Sequence, residues 1–178
     1  SAQNGFLAIN LNQGGSLDDF QPGLDFFKAL KDAGSLNTID VTDATIDSGQ
    51  TGVVFDWSYN QAAIKERLSK QQNVDWEVLT LPNGEVEQYY SQAVNKDAPH
   101  PAAARLWEEY LYSPDAQNEW MRGGAIPSLL EKMKKDGTVD KDALAKLPEI
   151  KKPVTYTSKQ ADAMTTWLGK NWPKTIGN

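Results

Sequence analysis

Gly52-Val-Val-Phe-Asp-Trp-Ser-Tyr59 sets three apolar residues, two of them β-branched, ahead of a carboxylate and an alternation of aromatic and hydroxyl side chains. A short β-rich apolar run of this kind fits a central strand buried on both faces of a sheet. The residues that follow, Asn60 to Gln72, read as a polar helix carried by Ala63, Ile64 and Leu68. Val74 to Leu81 then sets Val74, Trp76 and Val78 against Asp75 and Glu77 with the period of a strand. Strand, helix and strand in succession argue for an α/β layer. In open α/β sheets ligands settle beyond the carboxyl ends of the strands, which makes Asp56, Trp57, Ser58 and Tyr59 binding residues. Trp57 and Tyr59 offer flat apolar surface with a polar tip, and Asp56 and Ser58 add directional hydrogen bonds. The competing reading makes the same aromatics part of the core.

Upstream, Ser1 to Gly15 reads as a helix with Ser1 as cap and Gly14 and Gly15 as its stop. Its free N–H groups at Ser1, Ala2 and Gln3, at the positive end of the helix dipole, suit a carboxylate, phosphate or phosphonate. Pro22 opens a second helix with an apolar stripe of Leu24, Phe26, Phe27 and Leu30, and Gly34 closes it. Thr38 to Val41 reads as a short strand, and residues 42–49 as a brief helix or turn.

Downstream, Pro82-Asn83-Gly84 is a turn, and Val86 to Asn95 reads as a long strand at a lobe change. A strand alternates its faces, so of the tyrosine pair we assign Tyr89 to the core and Tyr90, with Ser91, to the site. His100, between two prolines, is placed to cap a helix whose one face carries Leu106, Trp107, Tyr110 and Leu111. Ser113-Pro-Asp opens another helix through Trp120, and residues 128–135, 140–146 and 158–171 are further helices, with a tail after Pro173.

The 178 residues carry 18 Lys plus Arg against 24 Asp plus Glu, a formal charge of -6, so the main driving term for nucleic-acid binding is missing. Zero cysteines and one histidine exclude thiol chemistry, cysteine zinc sites and a histidine metal cluster. The sequence has no G-x-S-x-G elbow, Walker loop, dinucleotide fingerprint or H-E-x-x-H, which argues against an enzyme, and no cofactor is implied. Asp136-Gly-Thr-Val-Asp140-Lys-Asp142 has carboxylates spaced as if for calcium, but glycine falls at its second position rather than the sixth; it reads as a helix stop followed by an N-cap. Lys132, Lys134 and Lys135 form a solvated face. No apolar run approaches the roughly 20 residues of a membrane span, and the first residues lack a signal-peptide pattern, so we expect a mature, truncated or cytosolic chain.

Four segments, in order, resemble extracellular solute-binding proteins of ABC importers in their carboxyl-terminal half. They are Gln21-Pro-Gly-Leu-Asp-Phe-Phe-Lys-Ala-Leu-Lys31; Val54 to Tyr59; Tyr89-Tyr-Ser-Gln-Ala-Val-Asn-Lys-Asp-Ala-Pro-His-Pro101 continuing through Leu106-Trp-Glu-Glu-Tyr110; and Gln117-Asn-Glu-Trp-Met-Arg-Gly-Gly124. The resemblance lies with the cluster that includes ferric-ion, polyamine and phosphonate binders. It implies the type II periplasmic-binding-protein fold, two α/β lobes joined by crossing strands, with residues 1–85 part of the second lobe and 86–178 the crossing strand and carboxyl-terminal part of the first. It also implies an amino-terminal half preceding this chain, which is then a fragment, a cleavage product or one partner of a split protein.

By the same resemblance the function is capture of a small polar organic solute in an interlobe cleft, with a membrane permease and the amino-terminal half of the same protein as partners. The location is periplasmic or extracellular, associated with the membrane through the transporter. Ferric members present adjacent tyrosines where this chain has Trp57-Ser58, with Tyr59 one step late, and polyamine members bring a carboxylate near the position of Tyr90. These departures count against iron and polyamine, and the helix start at Ser1, Ala2 and Gln3 resembles the place where related proteins hold an anionic part, which implies a solute with an anionic group held by Ser1, Ala2, Gln3, Asp56, Trp57, Ser58, Tyr59, Tyr90 and Ser91. The alternative is a carbohydrate-binding or carbohydrate-active protein that uses the same aromatics, with Asp56 or Glu87 as acid and base.

Overall fold

The computed structural model describes residues 2–70 and 74–177. Among them the chain forms nine helices: α1 (Ala2–Asn12), α2 (Gln21–Asp32), α3 (Asp43–Asp47), α4 (Ser58–Leu68), α5 (Pro101–Leu111), α6 (Pro114–Arg122), α7 (Leu130–Asp136), α8 (Lys141–Leu144) and α9 (Ser158–Thr175). Each overlaps a helix read from the sequence, or for α3 the segment read as a brief helix or turn; α4 starts two residues before the expected Asn60, and positions 71 and 72 of that expected helix lie outside the described residues. Proline stands in the first turn of α2, α5 and α6. The Ser113 hydroxyl accepts from the Ala116 N–H, and Thr157 with Gln160 and Thr42 with Thr45 form reciprocal capping boxes. Gly137, at φ 72°, ends α7 in the left-handed region, and the Asp140 carboxylate accepts from the N–H groups of Asp142 and Ala143, so this acidic segment is the stop and cap the sequence predicts.

Two local expectations fail. His100 occupies the N-cap position of α5, yet its side chain makes no capping hydrogen bond; φ -133° and ψ 68° place its backbone outside the usual cap geometry. Helix α9 does not end before Pro173 but runs on to Thr175, where Trp172 and Ile176 pack against the core.

The strand expectations are corrected as a group. Among the described residues no ladder forms over 38–41, 52–56, 74–81 or 86–95, so the α/β lobes expected from the sequence are not seen. The sole pairing among them is an isolated parallel bridge between Val86 and Val154, in which the Glu87 N–H donates to the Val154 carbonyl at 3.0 Å and the Val154 N–H to the Glu85 carbonyl at 2.8 Å. The periodicity itself is realised: Val74, Trp76 and Val78 are half-buried while Asp75 and Glu77 are exposed. A strand, however, is completed only by a neighbour at hydrogen-bonding distance, and alternation cannot supply one.

The chain divides into two units. The first comprises Ser1–Trp57, Ile64–Glu87 and Glu149–Asn178. Its core joins Phe6, Leu7 and Ile9 of α1, Phe20, Leu24 and Phe27 of the next segment and Met164 of α9. Aromatic rings knit it together: Phe27 meets Phe6 at 6.0 Å, Trp172 at 5.3 Å and Phe55 at 5.9 Å between centroids. The α1–α2 crossing is close because Gly23 carries no side chain; a Cβ there would stand 2.8 Å from Asn10 Cβ and 3.0 Å from the Phe6 ring. Asn10, fully buried, accepts from the Gly23 N–H at 2.9 Å and donates to the carbonyls of Ser16 at 3.0 Å and Asp19 at 2.8 Å.

The second unit comprises Ser58–Ala63 and Gln88–Pro148. Leu111, Ala116, Met121, Met133 and Ala143 fill its interior. Two buried amides tie its loops to α6: Gln117 donates to the Leu111 carbonyl at 2.7 Å, and Asn118 donates to the Thr138 carbonyl at 2.9 Å while accepting from the Asp140 N–H at 2.8 Å. On α5 Leu111 alone of the predicted apolar face is buried; Leu106, Trp107 and Tyr110 are exposed.

One carboxylate in each unit is held below its ordinary pKa of 3.8. The Arg67 guanidinium, which bonds Asp43 through two nitrogens at 2.9 Å, lowers Asp43. The Ala143 N–H, and after it Arg122, lowers Asp140. A folded pKa below the unfolded one contributes stability in full above the unfolded value, and that contribution is lost as pH falls through the folded value. The Asp43→Asn, Asp140→Asn double variant is therefore expected to lose stability at neutral pH and to show a shallower acid limb below the ordinary carboxylate range in denaturant titrations. Parallel acid limbs for variant and parent would refute these assignments.

Candidate functional site

The backbone changes direction at Trp57, the N-cap of α4, which is extended at φ -64° and ψ 135°, and Ser58 and Tyr59 lie in the first turn that follows. Starting a helix at this point projects consecutive side chains in different directions, and in the second unit Tyr59 meets Tyr90. Their hydroxyl oxygens stand 2.8 Å apart, hydrogen-bonded, with either able to donate. Tyr59 is half-buried, whereas Tyr90 is 80% exposed, so the pair joins an anchored phenol to one facing solvent.

Tyr59 owes its anchor in part to Gly124, which stands at φ +86° after α6. A Cβ on Gly124 would lie 3.3 Å from Ala62 Cβ and 3.4 Å from Tyr59 Cα, so the backbone there passes close against the first turn of α4. Sequence reading quoted the Gly123-Gly124 pair without giving it a role. Its signal was available: two glycines where one suffices to end a helix.

Of the other predicted site residues, Ser58 and Ser91 also belong to the second unit, half-buried and exposed respectively. Ala2, Gln3, Asp56 and Trp57 belong to the first. There Ala2 opens α1 and is exposed, and Gln3 spends its amide on α9, donating to the Thr165 hydroxyl at 2.9 Å. Asp56 is exposed and Trp57 half-buried. The expectation for Ser1 lies outside the described residues. Phe55 touches the core without joining it: its ring packs edge-on to Phe27, yet the residue is 38% exposed. Tyr89 does not: it is 66% exposed, because without a neighbouring strand or covering layer the alternation of faces has no inside to point to.

Two shallow surface hollows lie elsewhere. One of about 240 Å³ is lined by Arg122, Asp140, Asp142, Ala143 and Lys146, and one of about 360 Å³ by Asp18, Thr157, Lys159, Gln160 and Ala163. In the first, charged side chains already answer one another, as in the Arg122 bonds to Asp140 at 2.8 Å and Glu119 at 2.6 Å. Among the described residues no three His, Cys, Asp or Glu side chains are grouped to hold a metal ion, and no helix is long and apolar enough to cross a membrane.

Chemically, each phenol hydroxyl can both donate and accept a hydrogen bond. Both can turn toward a single acceptor oxygen, and neither brings a charge that would have to be neutralised. Compared with known proteins, residues 1–154 match the family model described as bacterial extracellular solute-binding protein. No curated protein matches this sequence.

Proposed function

The chain belongs to the bacterial extracellular solute-binding proteins, and from that premise we propose that it captures a small polar organic solute, one with an anionic group, for an ABC importer. The family is one of transport-associated binding proteins and not of enzymes; it implies a solute ligand and a transporter partner. The finer reading is that the solute is taken up outside the cytoplasmic membrane, periplasmic in a bacterium with two membranes, and passed to a membrane permease.

The observation that carries the solute class is the Tyr59–Tyr90 hydroxyl pair at 2.8 Å. Phenol O–H groups donate best to strong acceptors, and phosphonate, phosphate and carboxylate oxygens are the strongest that a small metabolite carries. Two neutral phenol oxygens bring no negative charge of their own to pair with a cationic solute. Ser58 and Ser91, in the same unit as the phenols, add hydroxyl donors of the same type.

Isothermal titration calorimetry decides between solute classes, with 2-aminoethylphosphonate, citrate, Fe(III), spermidine and maltose as probes. Binding of the phosphonate or the carboxylate, with little heat from the other three, is the expected result. Tight binding of Fe(III), spermidine or maltose with none of the oxyanions would overturn it.

A further inference from the structure

We propose that Asn83 is a modification site of the folded protein, deamidating spontaneously through a cyclic imide at a rate set by how firmly its turn is docked on α1. The sequence holds two Asn-Gly pairs, Asn4-Gly5 and Asn83-Gly84. Glycine after asparagine leaves the following amide nitrogen unhindered, so both pairs are chemically competent in the unfolded protein. The fold separates them.

Asn4 and Gly5 lie inside α1, where helical backbone geometry holds the Gly5 nitrogen away from the Asn4 carboxamide carbon. The Asn4 side chain also accepts a hydrogen bond from the Tyr156 hydroxyl, and Gly5 is packed on Phe55, 3.1 Å from a built Cβ to Phe55 Cβ. Asn83 is different: it is exposed, lies outside any helix and stands at φ 60° at the tip of a turn. Here three local contacts restrain reaction. The Gly84 N–H donates to the Leu81 carbonyl at 2.9 Å, the Asn12 amide donates to the Pro82 carbonyl at 2.9 Å, and Gly84 is buried so close to α1 that a Cβ would stand 2.6 Å from the Ala8 oxygen.

In the reaction the Gly84 nitrogen attacks the Asn83 carboxamide carbon. The new bond between them closes the imide, the bond from that carbon to the Asn83 amide nitrogen Nδ2 breaks, and the Gly84 amide proton leaves with the departing ammonia. Water then opens the ring at either carbonyl, giving aspartate or isoaspartate and one added negative charge. The isoaspartyl product lengthens the backbone by one methylene immediately before Gly84. The approach to Ala8 leaves no room for it, so conversion releases the turn from α1.

The test uses the full-length protein, incubated at mildly alkaline pH and body temperature and followed by peptide mapping with mass spectrometry and isoaspartate detection. Conversion at Asn83 several-fold faster than at Asn4 is expected in buffer, with the two rates converging in concentrated urea. Asn12→Ala is expected to speed Asn83 several-fold and leave Asn4 unchanged. Equal rates at the two residues in buffer would overturn the proposal, as would an unchanged Asn83 rate in a folded Asn12→Ala protein. If that variant unfolds, both rates rise together, and the ratio of the two rates in the parent protein decides.

Discussion

Asn10→Leu lowers the unfolding free energy by about 3 kcal/mol or more, since each buried polar group left without its partner costs about 1 to 3 kcal/mol. Leucine keeps the branching of the side chain, adds bulk against Gly15 and Gly23, and removes these three hydrogen bonds. The Gly23 N–H and the Ser16 and Asp19 carbonyls then lose the partner that joins the α1–α2 loop to the start of α2. Water has little access, because the residue is fully buried and Gly15 and Gly23 press against it. Urea denaturation with an unchanged dependence on denaturant measures the loss. A cost below about 1 kcal/mol would mean that the orphaned groups are rehydrated in the native state.

Tyr59→Phe and Tyr90→Phe are each expected to weaken binding of the preferred oxyanion, with 2-aminoethylphosphonate as first probe, by about 1 to 2 kcal/mol, or five- to thirtyfold. Because the two hydroxyls bond each other, the double variant loses less than the sum of the singles, and the double-mutant cycle reads that coupling directly. Thermal stability barely changes, because Tyr90 is largely exposed and phenylalanine keeps the ring of Tyr59. Additive losses would show that the phenols act separately, and undiminished binding would remove both from the site.

The helices were legible in the sequence because a helix is settled within a few residues. Pro22, Ser113, Asp140 and Thr157 mark starts, and Gly34 and Gly137 mark stops, by chemistry that needs no distant partner. His100 shows the limit of such reading, since residue type and position were right while the backbone angles withhold the cap. The run Gly52 to Asp56 shows a larger limit: its composition suits a strand, yet among the described residues no ladder forms over it. The misplacing of Tyr89 followed from the same cause, an alternation that presupposes a sheet. At the site, Tyr59 and Tyr90 were each chosen from sequence for their chemistry, but nothing local joins residues 31 positions apart, and Gly124 acquired a role only when α6 came to rest beside α4.

By itself, then, the sequence determined where the helices lie to within a few residues, the acidic charge, the lack of thiol chemistry and, through four ordered segments, the kinship with solute-binding proteins. Each of these is a property of residue type or of near neighbours in the sequence. The tertiary structure alone decided that Asn10 is a buried hub, that Phe55 meets Phe27 at the edge of the core, that two phenols meet and that one Asn-Gly pair is sheltered in a helix while the other sits on a turn. Those outcomes depend on which distant segments share space, and the interactions that fix them act across space rather than along sequence.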